Sequence, residues 1–173
     1  MAVRHFNIRK GEWPTKAGAP VQEVTGTPAV QSAAIVGTDF PGLRPRFEVE
    51  EGAQVQTGQV LFRDRKHPEI AFVSPIDGRV SSVGYGPRRT LSACVVEVDG
   101  GPADRGPVDE SNLGPTRQML LDRGHWPAFR TRPFGRIPPP DARPAAIVVN
   151  AVHTDPHAPD PALVLSERQE AFE

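Results

Sequence analysis

The sequence predicts a mainly β protein: a small closed β-unit with one short helix, followed by the beginning of an α/β segment. Three observations carry this. Residues 52–78, GAQVQTGQVLFRDRKHPEIAFVSPIDG, break into short apolar runs with a turn glycine at each joint. Proline numbers 20 and glycine 16 in 173 residues, a composition for many turns and short strands rather than long helices. Residues 145–152, AAIVVNAV, form a continuous apolar run of the kind found in strands covered on both faces.

Taken in order, residues 5–11 suit a short leading strand and residues 11–20 a loop. Residues 30–36 read as a strand. In residues 37–45, Gly37 and Gly42 bracket a tight loop that Pro41 and Pro45 stiffen, leaving Phe40 and Arg44 to be presented. Val49 and Val55 flank a turn at Gly52, and Gly58 precedes the run Val60, Leu61, Phe62. Residues 64–68 are charged and end in proline, so they belong at a hairpin tip, with Lys66 exposed there. Residues 70–73 are a β-branched and aromatic strand, residues 74–78 a turn, and residues 79–83 the next strand. Residues 84–89, GYGPRR, form a turn with two exposed arginines; they lack the Gly-Lys-Ser/Thr of a phosphate loop. Residues 90–98 are a central strand and residues 100–115 a loop. Strands this short cannot each bury a core and must close on one another.

Residues 116–123 are the clearest helix: Thr116 is placed to cap it, Met119, Leu120 and Leu121 supply its apolar stripe, and Gly124 is placed to end it. Residues 137–144, IPPPDARP, form a proline-stiffened joint. The apolar strand at 145–152 then leads through a loop to a helix starting near residue 161. This divides the chain into a β domain at 1–115, a helix and connector at 116–144, and the start of an α/β domain at 145–173.

Composition excludes several function classes. A net charge of −1, from 20 basic and 21 acidic residues, does not make a nucleic-acid surface. Cys94 is the single cysteine, so an intrachain disulfide or a cysteine-ligated cluster is excluded; its apolar neighbours place it in a buried strand. No apolar run approaches the ~20 residues that cross a bilayer, and the first residues lack a secretory apolar core. A soluble chain that reaches a membrane by docking is the expectation. No Ser elbow, paired carboxylate or catalytic triad is visible. His153, Asp155 and His157 alternate as metal ligands can, but no third element offers a partner, and solvated loop residues are expected. No G-x-G-x-x-G follows the strand at 145–152, so no dinucleotide is expected there.

The pattern V-x-x-G-Q-x-L at Val55–Leu61, a hairpin, then S-P-x-x-G-x-V at Ser74–Val80 resembles the core of biotinyl/lipoyl-type barrel-sandwich hybrid domains. Carriers of that fold modify a tip lysine; Lys66 lacks their flanking Met-Lys-Met or Asp-Lys-Ala, so a covalent carrier is kept as the alternative, beside a stand-alone adaptor module of the same fold. A narrower resemblance rests on Lys10-Gly11, Ala17-Gly18-Ala19-Pro20, the segment from Pro28 to Gly37, Asp39-Phe40-Pro41-Gly42-Leu43-Arg44-Pro45, and the run from Leu121 through Gly124, Trp126 and Phe129 to Arg130-Thr131-Arg132-Pro133-Phe134. These are similar to the A-subunit family of the sodium-translocating NADH:quinone oxidoreductases of bacterial membranes. The last segment is shared in part with the C subunit of Rnf-type electron-transfer complexes, whose cysteine-rich motifs this chain lacks.

The resemblance implies a fold of barrel-sandwich hybrid domain, short helix and the start of a Rossmann-like α/β domain, cut short inside that second domain. It implies a non-catalytic subunit of NADH:ubiquinone reductase (Na(+)-transporting), peripheral on the cytoplasmic side of the inner membrane and partnered by the other subunits. NADH and flavins would sit on those subunits, no cofactor would be bound covalently here, and ubiquinone would be the ligand. Two segments would carry the quinone role: Gly37, Asp39, Phe40, Gly42 and Arg44 in one, Arg130, Arg132 and Phe134 in the other. Phenylalanines would offer a slot and arginines donors to the quinone carbonyls. Each segment also has a structural reading: Phe40 as a plug at one end of the barrel, and the two arginines as anchors to the next domain through buried ion pairs.

Overall fold

Glycine-punctuated runs of valine, phenylalanine and leucine close here into two antiparallel sheets. The structure, a computed structural model, describes residues 18, 21, 23, 26, 29–99, 116–149, 157, 158, 160, 162 and 163. The expected leading strand at 5–11 and the loop at 100–115 lie outside these. Residues 28–143 form one compact unit and residues 1–27 with 144–173 another.

Strands β1 (Ser32–Val36), β2 (Pro45–Phe47), β3 (Gln54–Val55), β4 (Val60–Asp64), β5 (Ala71–Val73), β6 (Gly78–Tyr85) and β7 (Leu91–Val98) belong to the first unit. One sheet has the order β1-β7-β6-β3 and the other β2-β4-β5. Gly78 must be glycine, because a Cβ there would lie 1.9 Å from the Glu97 carbonyl oxygen across the β6–β7 pair. Leu61, Phe62, Val80, Cys94 and Val96 are sealed from solvent between the sheets. Each large apolar side chain buried this way contributes about 1.5–3 kcal/mol. Ser74, the one buried polar side chain among the described residues, donates its hydroxyl to the Ile76 carbonyl at 2.7 Å.

Five aromatic rings run through this core in edge or stacked contact. Tyr85 meets Phe47 at 5.3 Å between centroids and Phe47 meets Phe62 at 5.2 Å. Phe62 stacks on Phe72 at 4.7 Å, and Phe72 receives Phe40 edge-on at 5.0 Å. The ladder therefore joins the β6–β7 turn to the loop that precedes β2.

Helix α1 (Arg117–Asp122) begins and ends as the sequence predicts. Thr116 Oγ1 accepts the Met119 N–H at 3.3 Å, and Gly124 takes a left-handed φ of 71°. A Cβ on Gly124 would lie 2.8 Å from two methyl groups of Val73, so this glycine lets the helix end press on β5. Six residues of helix do not hold by themselves; Leu121 and Trp126 anchor it by entering the barrel core. The proline joint lies along the helix. Its carbonyls cannot pair in a ladder with proline nitrogens, and side chains take them instead. Trp126 Nε1 donates to the Pro138 carbonyl at 2.9 Å, and Arg117 donates to the carbonyls of Pro140 and Ala142.

In the second unit, residues 145–149 differ from the expected strand. They form no strand, and Ile147, Val148 and Val149 are exposed. A strand buried on both faces needs a neighbour at each edge, and no described residue pairs with this run. Asp160 Oδ1 accepts the Ala162 N–H at 2.9 Å and so starts a helical turn at residues 162 and 163. No helix among the described residues is long and apolar enough to cross a membrane.

Candidate functional site

The loop from Gly37 to Pro45 is pinned by its own backbone. Phe40 N–H donates to the Gly37 carbonyl at 3.1 Å and Leu43 N–H to the Phe40 carbonyl at 3.0 Å. Leu91 N–H donates to the Leu43 carbonyl and Arg65 N–H to that of Arg44, tying the loop to both sheets. Gly37 is required by contact: a Cβ would lie 1.9 Å from the Leu91 carbonyl oxygen. Gly42 is required by conformation, with φ at 81° and open space where its Cβ would be. Both glycines shape the loop from its backbone.

Phe40 and Arg130 come together. The Arg130 guanidinium carbon lies 4.7 Å from the Phe40 ring centre. Its Nη1 donates to the Pro127 carbonyl at 2.5 Å and its Nη2 to the Asp39 carbonyl at 3.2 Å. Asp39 thus contributes a backbone oxygen, and residues 91 positions apart share one contact. The half-buried Phe40 plugs its end of the aromatic ladder, and Arg130 closes over it. The fastening runs through carbonyls and a ring face, where the sequence suggested ion pairs.

Arg132 and Phe134 stand apart on a tight loop. Thr131 N–H donates to the Arg136 carbonyl at 2.8 Å, and Gly135 N–H to the Thr131 carbonyl at 2.8 Å. Thr131 Oγ1 also donates to the Arg136 carbonyl, and the peptide between Arg132 and Pro133 is cis. Phe134 is 78% exposed at the tip, with the Arg136 guanidinium 6.0 Å from its ring centre. The loop offers an aromatic ring and cations on a fixed backbone.

Arg44 belongs to a third place. It lines a surface cleft of about 290 Å³ with Arg46, Phe47, Arg65, Tyr85 and Arg89. Sequence reasoning missed this assembly. The available signals were Arg44-x-Arg46, whose spacing puts both side chains on one strand face, and the double arginine of the β6–β7 turn. Nothing in the linear order announces that Arg65 and Arg89 join them.

The remaining candidates are quickly placed. Lys66 is exposed at the β4–β5 tip, where its N–H donates to Asp64 Oδ1 at 3.0 Å. His153 and Asp155 lie outside the described residues, and His157 is exposed. Among the described residues no group of three His, Cys, Asp or Glu could hold a metal. Cys94 is fully buried in β7, and desolvation pushes its thiol pKa up to about 11. Such a thiol stays protonated and inert at neutral pH.

Comparisons with known proteins agree with the β architecture of the first unit. The family model of the NqrA N-terminal barrel-sandwich hybrid domain matches residues 6–99, and that of the NqrA second alpha/beta domain matches residues 114–173. The chain is 40% identical over 173 residues to the A subunit of the Na(+)-translocating NADH-quinone reductase of Yersinia pseudotuberculosis. Identity is 40% with the corresponding protein of Teredinibacter turnerae and 39% with that of Neisseria meningitidis. Each match covers 96% of this chain and 39% of the relative, so the chain spans about two-fifths of the length of these relatives. With a barrel-sandwich domain matched over more than half its length, the chain belongs to the NqrA family, the A subunits of the Na(+)-translocating NADH-quinone reductases.

Proposed function

We propose that this chain serves as a non-catalytic part of a sodium-pumping NADH:ubiquinone reductase, docked on the cytoplasmic face of the membrane and contributing to assembly and to the quinone site. The observation that carries this reading is the unequal state of the two candidate segments. Phe40 and Arg130 satisfy each other, which suits a scaffold. Phe134, with Arg132 beside it, remains exposed on a loop held by three hydrogen bonds. A pre-shaped aromatic knob with cations around it suits a protein groove, where such residues dominate binding energy. NADH oxidation and flavin chemistry then belong to other subunits.

Affinity purification from membranes tests the reading. The native chain brings down membrane-embedded and flavin-bearing subunits, and Phe134→Ala lowers their recovery several-fold while the variant's melting temperature stays unchanged. Recovery of the native chain as a lone protein would contradict the subunit role. Full recovery with Phe134→Ala would remove this loop from the interface. The same loop also suits a quinone ring stacked on Phe134 with Arg132 donating to a carbonyl oxygen. A photoreactive ubiquinone analogue that labels residues 131–136 in the assembled complex supports that assignment, and labelling confined to other subunits contradicts it.

A further inference from the structure

We propose that the cleft between β2, the end of β4 and the β6–β7 turn is a binding site for a phosphate-bearing anion. Four arginines line it, Arg44, Arg46, Arg65 and Arg89. None of the four has a hydrogen bond or ion pair from its side chain to another described residue; the one ion pair between described residues joins Arg63 to Glu48, outside the cleft lining. The carboxylates nearest in the chain are engaged elsewhere: Glu48 accepts from Arg63 at 2.8 Å, and Asp64 Oδ1 accepts the Lys66 N–H. No carboxylate among the described residues lines the cleft, in a chain whose net charge is −1. Four like charges repel one another when they share a cleft, and the one contact the fold returns is that of Arg89 with the Tyr85 ring. A ligand with two or more negative charges turns that repulsion into attraction, and the forked guanidinium matches phosphate oxygens in pairs.

The framework is built, not incidental. Arg44, just before β2, and Arg46 within it flank the buried Pro45, and Arg65 is held beside them by its N–H bond to the Arg44 carbonyl at 2.8 Å. Arg89 arrives from the other sheet, with its guanidinium carbon 5.1 Å from the Tyr85 ring centre. Tyr85 rests in turn on Phe47. The turn that delivers Arg89 places Arg88 and Arg89 at φ of 57° and 58°, a left-handed conformation that side chains rarely adopt. Backbone held against preference gathers where a fold presents a ligand site. The volume, about 290 Å³, suits a mono- or diphosphate group and is small for a whole dinucleotide.

The shared chemistry, phosphate on arginine, can come from a soluble phosphate ester or from an anionic phospholipid headgroup. Inorganic pyrophosphate titrated into the protein by calorimetry at low salt tests the site itself. One-to-one binding is expected, weakening at least about tenfold in the double variant Arg46→Gln with Arg89→Gln and falling as salt rises. Arg123→Gln, a surface arginine outside the cleft, leaves the affinity unchanged. Flotation with phosphatidylglycerol vesicles separates the sources. Vesicle binding that pyrophosphate displaces assigns a headgroup, and pyrophosphate binding without vesicle binding assigns a soluble ester. Absence of pyrophosphate binding, or equal weakening by Arg123→Gln, overturns the proposal.

Discussion

Each end of the aromatic ladder sets an arginine over an aromatic ring, and the two ends use that arginine oppositely. At one end Arg130 covers Phe40 and gives two of its donors to carbonyls of the fold. At the other, Arg89 covers Tyr85, but its remaining donors and those of Arg44, Arg46 and Arg65 meet no acceptor among the described residues. An arginine on an aromatic ring is therefore not in itself a sign of function. What distinguishes the ends is whether the fold consumes the guanidinium donors. The closed end ties the segment that follows helix α1 to the loop before β2, and the open end leaves charge for something outside.

The largest effect is expected where both ends depend on one residue. Phe72→Ala removes the ring that stacks on Phe62 and receives Phe40, and should lower unfolding stability by about 3–5 kcal/mol in urea titrations. Loss of under ~1 kcal/mol would mean the rings are neighbours without being a shared support. A smaller effect follows from pH. Cys94 has its thiol pKa raised from 9.0 to about 11 by burial. The folded state holds this proton more tightly than the unfolded chain, so its contribution is intact below about pH 9 and is lost as pH rises toward about 11. The loss there should be on the order of 2–3 kcal/mol, and Cys94→Ala should flatten that part of the profile. An unchanged slope would place the alkaline loss on other groups. Next comes Gly37→Ala, which drives a methyl into the carbonyl of Leu91, the residue paired with Tyr85 across β6 and β7. About 1–3 kcal/mol of destabilisation is expected, with a parallel fall in pyrophosphate affinity at the open end. Retained affinity would show that the cleft does not depend on this strand pair.

Much of the barrel was legible because its signals are local. Glycines at 52, 58 and 78, a proline-ended tip at residues 64–68, and the β-branched run of residues 70–73 each fix a turn or strand within a few positions. Thr116 and Gly124 marked the helix ends for the same reason. Strand β2 stayed hidden, because Pro45 reads as a loop residue and only its place at the edge of the β2-β4-β5 sheet makes it tolerable. The apolar run from residue 145 was legible as composition, but its pairing depends on neighbours that composition does not supply. Site residues fared similarly. The sequence pointed to Phe40 and Arg130 by resemblance, yet their contact spans the whole barrel and only the closed sheets create it. Arg44 was singled out with Phe40, and the fold turns it instead toward Arg46, Arg65 and Arg89.

The contrast between the two arginines is measured most directly by urea unfolding of Arg130→Ala beside Arg89→Ala. Arg130→Ala removes a cation over a half-buried ring and leaves the Pro127 and Asp39 carbonyls without their donor, so a loss of about 1–2 kcal/mol is expected. Arg89→Ala relieves repulsion among four cations as it removes one ring contact, and should stay within about 0.5 kcal/mol of the native chain. Equal losses, or a larger loss at Arg89, would contradict the division into a closed structural end and an open binding end.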